Sequence, residues 1–366
     1  MFLKQRIIGI SIYFLFAVVF FLIMKRSNTK NVKTILFMYT IILSMMGYFY
    51  VPSESADLFR IIETMKTFST YSLQRIIDFS FSTNIPTFYM LIYGIGKTGL
   101  YHLLPAIAAF FFYKNSFYLI QDYSKKINAK ALTIALTLFI FMCFGQFLQV
   151  VSGIRSLLAF SIVARCAYDE YFNGRNVFKN ILLYVIAVTL HPAALALTII
   201  HLVVSTVLFS TNSKNKICKI LFILFLLLLG VKYGSSYIDE MFSSANTYLS
   251  HDSYSYSWEY LMAFLYLIII FLSLFSTRTK EKITSNYRKY MYTIIVGTCV
   301  FVYVYSIFQR YTVFISIVSI PVLMKSISTA QENKDVKYIS ALFTLAILIL
   351  VIACVRGNLS GLKFFI

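Results

Sequence analysis

Charged residues are scarce in this chain. They make up 13% of its 366 residues, against roughly 25% in a soluble domain. Acids are scarcer still, 14 Asp and Glu against 33 Lys and Arg. No DxD motif is present to hold a cation for a sugar-nucleotide transferase, and no Walker loop, which excludes an ATP-driven pump within this chain. The five cysteines (Cys143, Cys166, Cys218, Cys299, Cys354) form no CxxC, and the four histidines (His102, His191, His201, His251) lack close metal spacing. Neither a disulfide frame nor a metal site is expected, and no cofactor. The first apolar run is followed by Lys25 and Arg26 without a small-residue cleavage site, so it is expected to be a retained span. No soluble domain, low-complexity tract or clear internal repeat appears.

What fills the chain is apolar: 59% hydrophobic and 18% aromatic residues. The apolar runs are continuous and recur at roughly the 20 residues that cross a bilayer as a helix. The short alternating segments of a membrane β-barrel are missing. The fold class is therefore all-α, a polytopic integral membrane protein with about 12 transmembrane helices. Residues 1–366 are expected to form a single transmembrane domain. The net charge of +19 resides in short loops between the runs and marks them as cytoplasmic. No soluble basic surface exists to bind nucleic acid.

The loop charges set a topology. Lys25, Arg26, Lys30 and Lys33 lie inside, as do the clusters around Lys125, Lys214, Lys280 and Lys334. Two long segments fall outside, near 51–84 and 232–257. Residues 85–97 are apolar but short, which suits a re-entrant or interfacial helix. Spans near Val151–Tyr168 and Phe178–Leu190 form a hairpin that opens outward. Spans near Tyr290–Ile307 and Tyr311–Met324 enclose a very short outer turn holding Gln309-Arg310. This arrangement places Asp57, Arg60, Arg155, His191, His251 and Arg310 at or near one face.

Ionisable groups in membrane segments are costly and mark candidate sites. Arg155 either snorkels to headgroups or clamps phosphate oxygens bidentately, and Arg310 has the same two readings. Arg165 lies about 15 Å further along the helix, where snorkelling to the opposite interface is expected. His191 precedes Pro192, which breaks the local helix; it is either a general acid or base or a ligand of a freed carbonyl. His201 reads as a packed, hydrogen-bonded core histidine. Asp57 is either a solvated loop acid or a catalytic one. Outer tyrosines such as Tyr248, Tyr254 and Tyr256 suit stacking on sugar rings.

The segments SESADLFR (53–60), GIRSLLAFSIVARCAY (153–168), LHPAALAL (190–197) and FQRYTVF (308–314), in this order, resemble the Wzy-type polysaccharide polymerases. The likeness is to the EpsG-like branch found in Gram-positive capsule and exopolysaccharide pathways. One departure is that Leu58-Phe59-Arg60, and no nearby Tyr, follows Asp57. The resemblance implies a metal-independent membrane glycosyltransferase in the plasma membrane, with its active site facing outside. Its substrate would be an undecaprenyl-diphosphate-linked oligosaccharide repeat unit. Arg155 and Arg310, with Arg60 as a third contact, would bind the diphosphate. His191 or Asp57 would deprotonate the acceptor hydroxyl. Membrane lipids, a flippase and a chain-length regulator of the same pathway are the expected partners. The alternative function is a flippase of the lipid-linked repeat, although no cavity lined by charges in both halves is evident. An acyltransferase is a weaker third reading.

Overall fold

The computed structural model describes residues 2–52, 54, 56–144, 147–175, 177–209, 217, 219–225, 257–277, 282–356 and 363–364. The expected outer segment 232–257, with His251 and its tyrosines, lies outside these residues except for Ser257. So do Cys218 and residues 226–231 of the span expected near Ile217–Val231, and Lys214 and Lys280.

The chain is an all-helical membrane protein. Helices α1 (Phe2–Arg26) and α2 (Val32–Tyr48) are followed by three shorter ones, α3 (Asp57–Ser69), α4 (Leu73–Phe81) and α5 (Pro86–Thr98). Then come α6 (Leu103–Lys126), α7 (Ala131–Phe144), the single turn-and-a-half α8 (Phe147–Ser152), α9 (Ile154–Phe172), α10 (Val177–Leu190) and α11 (Ala193–Phe209). The rest comprises α12 (Ser257–Ser276), α13 (Lys282–Val300), α14 (Tyr305–Val318), α15 (Ile320–Glu332) and α16 (Val336–Arg356). Strands β1 (Tyr50–Val51) and β2 (Lys363–Phe364) pair antiparallel, Tyr50 opposite Phe364.

Among the described residues, Leu103–Lys126 and Val336–Ala353 are each long and apolar enough to cross a membrane. The pair Ile307–Val318 and Ile320–Glu332, bent by 51°, makes a third if taken as one span. The count of about twelve therefore rests on shorter apolar helices such as Val32–Tyr48 and Ala131–Phe144 and on residues outside those described.

Packing explains the order of the bundle. α9 runs through its middle, flanked by α6, α10, α11 and α14, and nearly all its side chains are buried. α2 and α6 approach closely because Gly47 has no side chain: a Cβ there would lie 2.8 Å from the Pro105 carbonyl oxygen. Ser44 seals the contact by donating to the Ala106 carbonyl at 2.9 Å. α1 is fixed to α7 by Tyr13, whose hydroxyl donates to the Met142 carbonyl at 2.9 Å.

The segment 51–84, expected as a loop, contains two amphipathic helices. In α3 the buried Leu58, Met65 and Phe68 repeat at helical spacing while Glu63 and Lys66 face out. α4 is capped by Ser72, which accepts from the Arg75 N–H at 3.3 Å. α5 has Pro86 in its first turn and ends on Gly99 at φ +71°. Phe68, Phe79 and Tyr89 join these three helices in an aromatic cluster with centroids 5.1–5.7 Å apart. α5 also meets α10, where Thr87 and Thr189 hydroxyls are 2.7 Å apart.

Two boundaries differ from expectation near Arg310. The chain reverses at residues 301–304, so Gln309-Arg310 lies inside α14 rather than in a tight turn. The following span breaks at Ser319 because Pro321 lacks an N–H and sits comfortably only in the first turn of a new helix, α15.

Candidate functional site

The site is assembled where α8 stops and α9 begins. Gly153 makes this break: its N–H reaches the Gln149 carbonyl at 2.6 Å, and a Cβ there would stand 2.9 Å from that same oxygen. No side chain caps the first turn of α9, so its N–H groups and positive dipole end are available to a ligand. Gly153, Ser156 and Leu157 line a cavity of about 360 Å³ together with Gln149 and Ser152 of α8 and its approach. Asp57, Gln309, Arg310 and Tyr50 close its other sides.

Asp57 opens α3, where a carboxylate is favoured by the helix dipole. Its side chain is 46% exposed and pairs with Arg60, itself 72% exposed. Arg60 is thus joined to the site through Asp57 and is not among the cavity-lining residues.

His191 sits at the break between α10 and α11. Its N–H donates to the Ala187 carbonyl at 3.1 Å, ending α10. Its Nδ1 accepts the Ala193 N–H at 3.2 Å, capping the start of α11. That bond fixes the tautomer: a neutral ring whose Nδ1 accepts carries its proton on Nε2. Burial acts most strongly on the imidazole, and the charges of Arg310 and Arg155 act on it as well. Phe160 of α9 holds the three elements together. Its ring meets His191 edge-on at 6.4 Å and packs on Tyr311 and Phe314 of α14 at 5.8 and 5.9 Å. The Arg155 guanidinium lies over Phe88 of α5, 5.4 Å from the ring centre.

The structure therefore brings Asp57 and Arg310 to one cavity, and Arg155 and Arg310 to the surroundings of His191. A guanidinium on the cavity wall and another in the first turn of α9 favour an anion with several oxygens at that helix N-terminus. Among the described residues no group of three His, Cys, Asp or Glu is placed to hold a metal ion. Sequence reasoning passed over the neutral wall of the cavity. Gln149, Ser152 and Ser156 carry a helical signature, polar positions three and four apart in apolar surroundings, which could have found them.

A second polar cluster lies at the other end of α9. Glu170 is 4% exposed, and four side chains converge on it. Tyr184 donates to its Oε1 at 2.8 Å and Asn180 at 3.3 Å. His201 Nε2 stands 3.1 Å from Oε2, and Lys219 Nζ 3.7 Å from it. Lys219 also donates to Ser205 at 2.8 Å. His201 is the packed, hydrogen-bonded histidine expected. Arg165 does not reach towards headgroups as expected. It donates to Asn115 Oδ1 at 3.1 Å and lies 4.5 Å over the Tyr118 ring, because α6 presents an amide and an aromatic face at that depth.

These features define a polytopic helical membrane protein with a polar cavity among its helix ends and charged side chains around it. The sequence profile of the EpsG family matches residues 55–362, and the chain belongs to that family. The match takes in all the motifs that carried the resemblance except the first two residues of the Asp57 segment. No curated protein and no solved structure matches the chain significantly.

Proposed function

We propose that this protein is a polysaccharide polymerase that joins oligosaccharide repeat units carried on undecaprenyl diphosphate, at the outer face of the plasma membrane. The observation that carries this reading is the cavity shared by Asp57 and Arg310 at the start of α9, whose first turn carries Arg155. The acceptor hydroxyl attacks the anomeric carbon of the lipid-linked chain. A new C–O bond forms, the bond from carbon to the phosphate oxygen breaks, and its electron pair leaves with the diphosphate. Arg155 and Arg310 stabilise that charge, with help from the N-terminus of α9. Arg60 acts through Asp57.

The tautomer of His191 leaves the proton transfer to Asp57. With its proton on Nε2, the neutral His191 ring donates a hydrogen bond to the departing diphosphate and keeps that proton. Asp57 then takes the acceptor's proton. Basic loops at the opposite end of the bundle support the outward orientation.

The test is reconstitution in vesicles with a purified lipid-linked repeat. A polymer ladder is expected from the parent. Arg155→Ala and Arg310→Ala should each cut the rate about 10²–10³-fold, as loss of a charge-stabilising donor does. Parent-like ladders in both variants would overturn the clamp. Transfer of the lipid between leaflets without ladders would establish the flippase reading instead.

A further inference from the structure

The cavity has two chemically different kinds of lining. Asp57 and Arg310 supply charge; α8 and the start of α9 supply a neutral polar wall of Gln149, Ser152 and Ser156, and Gln309 and Tyr50 line the cavity as well. The neutral wall has a particular hydrogen-bonding character. Ser152 spends its hydroxyl proton on the Leu148 carbonyl at 2.7 Å, and Ser156 on the Gly153 carbonyl at 3.1 Å. Both oxygens are left as acceptors. Gln149 is the reverse: its Nε2 is buried and has no hydrogen-bond partner among the described residues. A buried donor of this kind is costly unless something meets it. Gly153 holds the arrangement, since only a residue without Cβ lets the chain turn so closely over the Gln149 carbonyl.

A donor beside two acceptors, with an aromatic ring nearby, matches a sugar ring, whose hydroxyls both donate and accept. A cavity of about 360 Å³ is at the small end of ligand sites, which span roughly 300–1,000 Å³. It suits one or two sugar rings rather than a long oligosaccharide. Arg310 lines the same cavity, so the sugar held there is the one bonded to the diphosphate.

We infer that Gln149, with Ser152 and Ser156, forms the subsite for the sugar directly attached to the lipid diphosphate, and that the Gln149 side-chain amide, whose Nε2 is enclosed in the cavity wall without a ligand, turns to bring its N–H to that sugar and so selects it. This rests on the polymerase reading, because the diphosphate positions the sugar. Gln149 is a specificity-determining residue here, distinct from the groups that stabilise the leaving charge.

The experiment compares binding of two sets of probes to the purified full chain in detergent. One is undecaprenyl diphosphate alone. The other is undecaprenyl diphosphate carrying a single sugar, tested as glucose, galactose and N-acetylglucosamine forms. The parent should bind at least one sugar form more tightly than the bare lipid. Gln149→Ala and the neutral, similarly sized Gln149→Met should each remove about tenfold of that sugar-dependent gain while leaving affinity for the bare lipid unchanged. Arg310→Ala should weaken both. Equal losses for bare and sugar-bearing lipids in the Gln149 variants would overturn the subsite, as would an undiminished gain. A parent that binds all these lipids with no sugar-dependent gain refutes the subsite alone. A parent that binds none refutes the polymerase reading and the subsite with it. Gln149→Met keeps the side-chain volume and adds no charge, so if Gln149→Ala fails to fold the comparison still decides.

Discussion

Replacing Glu170 by alanine removes the carboxylate on which Tyr184, Asn180, His201 and Lys219 converge. Lys219, 6% exposed at its side chain, is then left in the interior without the carboxylate, donating to the Ser205 hydroxyl. Breaking a buried ion pair by deleting one partner costs about 3–5 kcal/mol, chiefly because the other charge is stranded. The Tyr184 and Asn180 donors lose their acceptor as well, so the upper part of that range applies. Native domains are stable by only about 5–15 kcal/mol. Lys219→Met should cost less, since Glu170 keeps three donors. The double variant Glu170→Gln with Lys219→Met removes both charges and leaves an amide for Tyr184 and His201. It should recover most of the loss, because neutral replacements of buried pairs are often as stable as the pair. The assay is thermal denaturation of detergent-purified protein, read as loss of the monodisperse species. The expected order of melting temperatures is parent, then double variant, then Lys219→Met, then Glu170→Ala. An unchanged melting temperature in Glu170→Ala, or a double variant no better than Glu170→Ala, would refute the argument.

Asp57→Asn should lower the polymerisation rate about 10²–10⁴-fold, the usual worth of a general base, with binding of lipid diphosphate retained; a parent-like rate would assign the base elsewhere. Arg60→Ala should leave the melting temperature unchanged, since an exposed pair contributes about 0–1 kcal/mol, and should reduce polymer less than Arg310→Ala in the same ladder assay. Gly47→Val should destabilise by about 1–3 kcal/mol or prevent folding, because its Cβ would press on the Pro105 carbonyl; a normal yield of monodisperse protein would contradict the close approach of α2 and α6. Arg155→Lys should recover little of the activity lost in Arg155→Ala, since a point charge cannot replace a bidentate fork; full activity in the ladder assay would argue for charge alone.

Much of the site could be seen in the sequence because its charges stand out against apolar surroundings. Arg155 and His191 stand out in a hairpin whose ends must meet, and Phe160 of α9 packs against His191 there. Arg310 was conspicuous too, but its setting was misread. A span ruler places turns by counting residues, and the reversal at 301–304 is built of Phe301, Val302, Tyr303 and Val304, which look like membrane helix. The α3 helix was missed for the opposite reason: its charged outer face resembled a loop and hid the spacing of Leu58, Met65 and Phe68. Neutral polar residues carry no such contrast, so Gln149 and its serines became visible only when the α8–α9 break gathered them. The cage around Glu170 depends on residues from α9, α10, α11 and the segment 219–225, and no local pattern announces a meeting across such distances.

The small β1–β2 ladder has a bearing on how the protein is made. Tyr50 lines the cavity and is paired with Phe364. A ribosome delivers β1 early and β2 after every helix described here. The bundle can therefore insert and pack while the edge of its cavity still lacks a strand. A chain halted before residue 363 would hold its arginines and histidine in place while Tyr50 still lacks the strand that pairs with it.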